Sequence, residues 1–218
     1  MTPERLSEVN QPMTEKMIPD IVVGRLPLYL RSLRQMAAEG RQVTSSQELG
    51  ERLGISAAQI RKDLSQFGEF GKQGTGYHIK FLEEKLQEIL HVNRDWDIAI
   101  VGAGDIGSAV ARYKGFSHQG FCVAMIFDND PKKVGTEVGD FIVKDAANMV
   151  EEIRAAGIQV AMIAVPASEA QGVANKLVEA GVRAILNYAP VNLSVPSGVR
   201  VQYIDPVIHL QRMTYYLE

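Results

Sequence analysis

Three closely spaced glycines constrain the fold of this chain more than any other feature. The stretch Val101-Gly102-Ala103-Gly104-Asp105-Ile106-Gly107 follows the apolar run 98–101 and leads into good helix formers. A continuous apolar run is typical of a strand buried on both faces, so the glycines mark the turn from a strand to a helix. Such a turn lets the backbone approach a pyrophosphate at a helix N-terminus, where N–H donors are unpaired. We therefore predict a dinucleotide-binding turn, with packing glycines as the alternative. Its contact residues would be Gly102, Ala103, Gly104, Asp105, Ile106 and Gly107.

A carboxylate at the end of the next apolar run strengthens this interpretation. The run 121–127 ends in Asp128, about 20 residues beyond Gly107. In dinucleotide-binding folds an acidic residue at this position accepts hydrogen bonds from the adenosine ribose hydroxyls. Lys132 and Lys133 follow closely and would favour a 2′-phosphate, although a solvated loop pair is the simpler interpretation. We expect Asp128 to contact the cofactor.

Composition limits the classes to which the chain can belong. With 218 residues, 46% of them hydrophobic, it can bury a core and has room for two small domains. The formal net charge is −3, and no polybasic tail is present, so any contact with nucleic acid must come from locally placed charges. The single cysteine, Cys122, cannot form an internal disulfide. Because no apolar run approaches the ~20 residues of a membrane span and no signal region is evident, we expect a cytoplasmic protein.

Two short amphipathic segments separated by Gly54-Ile55-Ser56 predict a helix-turn-helix. Ser45 or Ser46 can cap the first helix, and Ser56 can cap the second. Ile60, Leu64 and Phe67 of the second helix would point inward, which leaves small, amide and cationic side chains on the opposite face. These are the types that contact phosphates and base edges in a major groove; the alternative is a solvated polar face. The predicted DNA contacts in this segment are Ser56, Ala58, Gln59, Arg61, Lys62, Ser65 and Gln66.

A glycine-rich segment after this helix predicts a wing. Residues 68–80 contain four glycines, with a hairpin-like tip at 72–76 and a strand beginning at Tyr77. Lys72 at the tip can reach a phosphate or the minor groove, although a lone exposed lysine is solvated by default. Together with the helix-turn-helix, the wing favours DNA binding.

The rest of the chain alternates strands with helices, which predicts a parallel sheet with crossover helices. We expect strands at 97–102, 121–128, 158–165, 183–188 and 200–204, and helices at 105–114, 145–156, 168–180 and 206–217. The fold class is therefore α/β, an N-terminal winged helix-turn-helix domain followed by a Rossmann-like parallel sheet. The expected divisions are a winged-helix domain at 18–80, a linker helix at 81–94, a Rossmann domain at 95–205 and a terminal helix at 206–218.

Two strand ends near the expected ligand crevice are further candidates. Val165 and Pro166 end one strand, and Asn187, Tyr188, Ala189 and Pro190 end another. Ligands bind at the carboxyl ends of strands in such sheets, so we expect cofactor contacts there. Both segments are equally consistent with turns bounded by proline.

The final helix is unusually apolar for a chain terminus. Pro206 would occupy its first turn, and one side carries Val207, Leu210, Met213, Thr214 and Leu217. So much apolar surface favours packing on another subunit, with a core helix of its own domain as the alternative.

Several segments of the chain together match the pattern of one known family. They are Ile60-Arg61-Lys62-Asp63-Leu64-Ser65, Phe67-Gly68-Glu69-Phe70-Gly71-Lys72, Gly74-Thr75-Gly76-Tyr77, the glycine turn 102–107, Leu186-Asn187-Tyr188-Ala189-Pro190 and Ile204-Asp205. In combination they resemble the Rex family of bacterial redox-sensing transcriptional repressors. The resemblance runs from about Ile18 to the C-terminus; the one visible departure is Asp105, directly after Gly104.

This resemblance implies a homodimer that exchanges its last helix between subunits and binds palindromic operator DNA. It also implies binding of NADH and NAD+, with repression relieved when NADH rises relative to NAD+. By the family's pattern, Arg31, Tyr113 and Asp205 form a relay between the nicotinamide site and the DNA-binding module, and Tyr113 contacts the cofactor. No catalytic residue and no metal are expected.

Two other functions are consistent with the glycine turn. A nicotinamide-dependent oxidoreductase would need a catalytic group, but none of the four histidines falls at a strand end beside an evident partner. The same turn and sheet also resemble the coenzyme-A-binding domain of succinyl-CoA ligases. Asp128 opposes this second alternative, because a carboxylate suits a ribose diol better than a phosphorylated ribose.

Overall fold

The computed structural model describes residues 18–72 and 75–217, without the side chain of Lys72. The predicted contact of that side chain therefore lies outside the described residues. The chain forms two compact units, divided between His91 and Val92. In the described part of the chain, no helix combines the length and apolar character that a membrane span requires.

The N-terminal unit combines helices with a small antiparallel sheet in the order β1-β3-β2. Its helices are α1 (Asp20–Val23), α2 (Leu26–Ala38), α3 (Ser46–Leu53), α4 (Ala57–Leu64) and α5 (Ile79–Ile89), and its strands are β1 (Val43–Thr44), β2 (Gly71–Lys72) and β3 (Gly76–His78).

The predicted helix-turn-helix is present, with both caps. The hydroxyl groups of Ser45 and Ser56 accept hydrogen bonds from the backbone N–H groups of Glu48 and Gln59. Gly54 ends α3 in the left-handed conformation with φ of 66°, which a residue without Cβ adopts at little cost. Of the three side chains predicted to point inward from α4, Ile60 and Leu64 are buried and Phe67 is half-buried.

The wing and the following helix both begin earlier than predicted. Strand β3 starts at Gly76 and pairs antiparallel with both β2 and β1. Helix α5 starts at Ile79, and its side chains Ile79, Leu82 and Leu86 are fully buried in the N-terminal unit, where α5 packs on α2. This helix is thus part of the core of the N-terminal unit, where the sequence predicts a linker helix at 81–94.

The C-terminal unit is a six-stranded parallel sheet with helices. The sheet order is β11-β10-β9-β4-β5-β8. Its strands are β4 (Trp96–Val101), β5 (Phe121–Asp128), β8 (Lys144–Asp145), β9 (Val160–Ile163), β10 (Ala184–Asn187) and β11 (Arg200–Tyr203). The helices are α6 (Asp105–Arg112), α7 (Met149–Ala156), α8 (Ala167–Glu179) and α9 (Pro206–Thr214), and β6 (Glu137–Val138) and β7 (Phe141–Ile142) form a small hairpin.

The strand order reverses between β4 and β9. When the six strands of this sheet are numbered as they occur along the chain, their order in the sheet is 3-2-1-4-5-6, which is that of the Rossmann fold. In this fold, ligands bind outside the carboxyl ends of the strands, at the reversal of strand order. The predicted Rossmann-like sheet is confirmed.

One predicted helix is wrong at its start. Residues 145–156 were expected to be helical, but Lys144 and Asp145 form the edge strand β8, a 3₁₀ turn follows, and α7 begins only at Met149. The Asp145 carboxylate accepts a hydrogen bond from the Ala147 N–H and so caps that turn. A two-residue polar strand has no periodicity from which it could be recognised.

Candidate functional site

A cavity of about 560 Å³ opens at the reversal point of the sheet. Of the predicted cofactor contacts, the lining includes Gly102, Gly104, Asp128, Val165 and Pro166. The remaining lining residues are Val101, Asn129, Asp130, Lys133, Ala146, Met149, Ala164, Glu169, Gly172, Val173 and Lys176. The glycine turn and two strand ends therefore meet in one cavity, whose size is within the range of small-molecule sites.

The turn needs its glycines for different reasons. Gly102 has φ of 103°, and a Cβ there would collide with the carbonyl oxygen of Ala164. A Cβ at Gly107 would collide with the carbonyl oxygen of Gly102, so this glycine lets α6 start directly against the strand end. A Cβ at Gly104 would meet no atom within 4 Å, and this residue faces the cavity. The geometry fits a bound pyrophosphate, since backbone borders the cavity at the start of a helix.

Asp128 ties the end of β5 to the glycine turn. Its buried carboxylate accepts hydrogen bonds from the N–H of Ala103 at 2.7 Å, the N–H of Asp130 at 2.9 Å and the Lys133 ammonium at 3.1 Å. Burial raises the pKa of Asp128, but these hydrogen bonds outweigh burial and leave the pKa below its usual value. The group is therefore anionic at neutral pH. Since Lys133 pairs with Asp128, it does not belong to a solvated loop pair; Lys132 is exposed.

The other residues predicted from the turn lie away from the cavity lining. Ala103 and Gly107 are buried within the turn, whereas Asp105 and Ile106 are exposed on α6. Tyr113 follows the last residue of α6 and lines a second cleft of about 550 Å³. There its ring contacts Phe116 edge to face, with the ring centroids 5.1 Å apart.

The segment 187–190 is held together by its own hydrogen bonds. The amide of buried Asn187 donates to the carbonyl oxygens of Ala189 and Val191 and accepts from the Ala189 N–H. Tyr188 is half-buried, and burial raises the pKa of its hydroxyl; Pro190 is exposed. Asn187 therefore shapes its loop, and none of these four residues belongs to the cavity lining.

Sequence reasoning missed the residues that α8 contributes to the cavity lining. Glu169, Gly172, Val173 and Lys176 line the cavity because α8 starts directly after the strand end 164–166 and borders the opening. Their spacing of three and four residues is that of one helix face, which was the available signal.

The predicted DNA face of α4 is largely accessible. Ala58, Arg61, Lys62 and Ser65 are exposed, and Gln66 is half-buried. Ser56 is exposed and also caps the helix. The side chains of this face are partly engaged, because Arg61 donates to the Ser46 hydroxyl at 2.9 Å and Ser65 donates to the Lys62 carbonyl oxygen.

A buried charged cluster beside this face was not predicted. Asp63 is fully buried and accepts hydrogen bonds from Arg25, Tyr29 and Gln59. Asp63 lies one turn from buried Ile60 on the inward side of α4. An acidic residue on an apolar face was the signal that a partner must be buried with it.

The expected relay residues are divided between the units. Arg31 is exposed on α2 of the N-terminal unit. Tyr113 and Asp205 belong to the C-terminal unit, and the Asp205 carboxylate caps α9 by accepting a hydrogen bond of 2.9 Å from the Val207 N–H.

Helix α9 buries none of its residues in its own unit. Val207, Leu210 and Met213 are 55%, 58% and 64% exposed, and Leu217 beyond the helix is 80% exposed. The alternative of a core helix within its own domain is therefore wrong.

Comparisons with known proteins cover both units. A model described as "Putative DNA-binding protein N-terminus" matches residues 17–65, and one described as "CoA binding domain" matches residues 93–191. The chain is 54% identical over 199 residues to the redox-sensing transcriptional repressor Rex of Chloroflexus aggregans, covering 91% of this chain and 94% of that protein. It is 42% identical over 198 residues to the same repressor of Desulfitobacterium hafniense, again covering 91% and 94%.

The solved structures agree. RSP in complex with β-NAD+ and operator DNA superposes with a TM-score of 0.88 at 35% identity, covering 93% of each chain. RSP in complex with β-NADH gives a TM-score of 0.85 at 33% identity, covering 93% of this chain and 95% of that one. RSP is described as a Rex-family repressor. These relatives are transcriptional repressors. The prediction that the chain is a transcriptional regulator is therefore confirmed, and the alternative of an oxidoreductase is not supported. The chain therefore belongs to the Rex family of redox-sensing transcriptional repressors.

Proposed function

We propose that this chain forms a homodimer that represses transcription at a palindromic operator and leaves it when NADH rises relative to NAD+. The observation that carries the proposal is that the described residues, 18–72 and 75–217, form both a winged helix-turn-helix and a dinucleotide-type cavity and contain no second substrate domain. Because DNA is the target and the only cysteine, Cys122, is free, we assign the protein to the cytoplasm.

The cavity residues would anchor the parts that NAD+ and NADH share. Gly102 and Gly104 would border the pyrophosphate, and Asp128 would accept hydrogen bonds from the adenosine ribose. The two forms differ only in the nicotinamide, which is a planar cation in one and a neutral ring in the other. Only groups near that ring can discriminate, and a ligand shifts a two-state dimer by no more than its differential affinity. We assign this discrimination to Tyr113.

The dimer interface would be formed by α9. Exposure to water of a helix with apolar residues on every turn is energetically unfavourable. A second copy of the same chain can cover this surface, so no other partner is required. When NADH is bound, the Rossmann units would close and the two recognition helices would leave the spacing of adjacent half-sites. An ion pair between Arg31 and Asp205 would stabilise the DNA-competent arrangement.

The test is a gel shift on a palindromic operator, titrated with NADH at fixed NAD+. We expect the complex to dissociate as NADH approaches saturation. A complex that persists at saturating NADH would contradict the sensor model.

A second candidate, a regulator that binds coenzyme A, is favoured by the family model matched over 93–191. The anionic Asp128 in the cavity opposes the phosphorylated ribose of coenzyme A. Thermal shift with NADH, NAD+, NADPH and coenzyme A separates the two, because strong selectivity for coenzyme A would replace the nicotinamide proposal.

A further inference from the structure

The carboxylate of Asp63 is fully buried on the inward side of α4 and accepts four hydrogen bonds. Arg25 donates through Nε to Oδ2 at 2.6 Å and through Nη2 to Oδ1 at 2.8 Å. The Tyr29 hydroxyl donates to Oδ2 at 2.6 Å, and the Gln59 side-chain amide donates to Oδ1 at 2.7 Å. The bidentate pairing with Arg25 fixes the plane of the carboxylate.

This cluster keeps Asp63 ionised. Burial raises the pKa of Asp63, but the hydrogen bonds from Arg25, Tyr29 and Gln59 outweigh burial and hold the pKa below its usual value. An ionised carboxylate accepts hydrogen bonds and cannot donate them. Whatever faces it must therefore be a donor.

Asp63 consequently decides which way the Gln59 amide points. The oxygen and nitrogen of a glutamine amide are nearly equivalent in shape, so a free side chain can present either. Here the nitrogen must face Asp63, one turn along the same helix. This leaves one N–H donor and the Oε1 acceptor of Gln59 for other partners.

Gln59 lies at the end of α4 that reads bases in helix-turn-helix proteins. It stands in the first helical turn, three residues after the cap Ser56, and is half-buried. N-terminal residues of a recognition helix contact base edges in the major groove. Its neighbour Ala58 is small and exposed, so a base edge can approach closely.

We propose that Asp63 is a specificity-determining positioning residue, which orients the Gln59 amide to read one adenine of each operator half-site. The free N–H of Gln59 donates to adenine N7, and Oε1 accepts from the adenine N6 amino group, the bidentate pattern that glutamine forms with adenine. Arg25 and Tyr29 hold the carboxylate against α2, so that the amide is oriented before DNA arrives. The inference rests on the proposed operator binding.

The first test changes only the DNA. An operator selected from random duplexes is synthesised with 7-deazaadenine, which lacks N7, or with purine, which lacks the N6 amino group, at each adenine in turn. We expect one adenine per half-site at which both analogues weaken binding of the wild-type chain about 10-fold or more. In Gln59→Met, which has a similar length and no hydrogen-bonding amide, binding should no longer respond to the analogues at that position. If no adenine shows a response that depends on Gln59, the inference is wrong.

The second test removes the carboxylate. Asp63→Asn risks unfolding because Arg25 loses its buried charged partner. The double variant Arg25→Met/Asp63→Leu is therefore made as well. Buried ion pairs are often replaced by apolar residues without loss of stability. We expect either variant to lose most of the preference for adenine at the Gln59 position, about 10- to 100-fold, and to retain preferences elsewhere in the half-site. Ile79→Val, a mildly destabilising change in the same unit, should keep that preference. Retention of the adenine preference in the folded double variant would overturn the role of Asp63.

The outcomes separate this inference from the proposed function. If the wild-type chain selects no duplex at all, operator binding itself fails. If it selects an operator in which the adenine analogues weaken binding equally for the wild-type chain and for Gln59→Met, operator binding is confirmed. The roles proposed for Gln59 and Asp63 are then wrong.

Discussion

The Cα of Gly107 lies so close to the carbonyl oxygen of Gly102 that no side-chain atom fits between them. The start of α6 thereby packs directly against the turn that follows β4. Gly104, between the two, has free space around it and faces the cavity.

Alanine substitutions at these glycines should therefore separate folding from cofactor binding. Gly107→Ala should lower the free energy of unfolding by about 3 kcal/mol, because the added methyl group overlaps backbone that cannot move. Gly104→Ala should change stability by less than about 1 kcal/mol, since its φ of −79° suits alanine. It should nevertheless weaken NADH binding, because the methyl group would occupy the place proposed for the pyrophosphate. Chemical denaturation and calorimetric titration measure the two effects. Equal stability losses in both variants would contradict this division.

Replacing Asp128 with asparagine should change the choice between NADH and NADPH. In the proposed site the Asp128 carboxylate would repel a 2′-phosphate, and its replacement would free Lys133 to bind that phosphate. We expect Asp128→Asn to bind NADH about 10-fold more weakly, as for the loss of a hydrogen bond to a charged group, and to narrow the preference for NADH over NADPH. Calorimetric titration with both nucleotides checks this. A variant with the wild-type ratio would show that Asp128 does not contact the ribose.

Stability should fall at acid pH through Asp63 and Asp128. The pKa of each carboxyl group in the folded protein lies below the ordinary value. Each group therefore binds a proton less readily in the folded state than in the unfolded state. Their contribution is complete above the unfolded pKa of about 4 and is lost as pH falls through the folded pKa. Thermal unfolding at pH 7, 5, 4 and 3 should show that the unfolding temperature of the wild-type chain falls below about pH 4. Between pH 7 and pH 3 the unfolding temperature of Asp128→Asn should fall less than that of the wild-type chain. The same acid sensitivity in wild type and variant would exclude Asp128 as a source.

The sequence predicted the long strands of the sheet and the glycine turn, but it did not predict the edge strand β8. The strands at 98–101 and 121–127 are evident from their continuous runs of apolar residues, and the spacing of the glycines marks the strand-to-helix turn. The edge strand at Lys144 and Asp145 was missed because its two polar residues form a strand only by pairing with Phe127 and Asp128.

The buried cluster was missed for a related reason. Arg25 lies 38 residues before Asp63, so nothing local links the two, and only the packing of α2 on the helix-turn-helix brings them together. Likewise the amide of Asn187 was expected to face a ligand, but its partners are set by the path of its own loop. Hydrogen-bond partners that depend on tertiary packing cannot be inferred from residue type alone.

Two substitutions at Asp205 can distinguish a relay charge from a helix cap. Asp205→Ala removes both, and loss of the cap alone costs about 1 kcal/mol. Asp205→Asn keeps a capping oxygen for the Val207 N–H and removes only the charge. If Asp205 pairs with Arg31 in the DNA-competent state, both variants should bind operator more weakly without NADH, as a gel shift would measure. Wild-type binding by Asp205→Asn would contradict the relay.

A charge on the apolar side of α9 should dissociate the dimer. Leu210 is 58% exposed in the single chain, and the proposed interface would bury it. A glutamate there would be desolvated without a partner, so Leu210→Glu should be monomeric at concentrations where the wild-type chain is dimeric, and it should lose operator binding with the paired half-sites. Arg212→Glu places the same residue about 200° around the helix and should remain dimeric. Sedimentation velocity of the three proteins decides the matter: a dimeric Leu210→Glu would mean that another surface joins the subunits and that α9 is covered by something else.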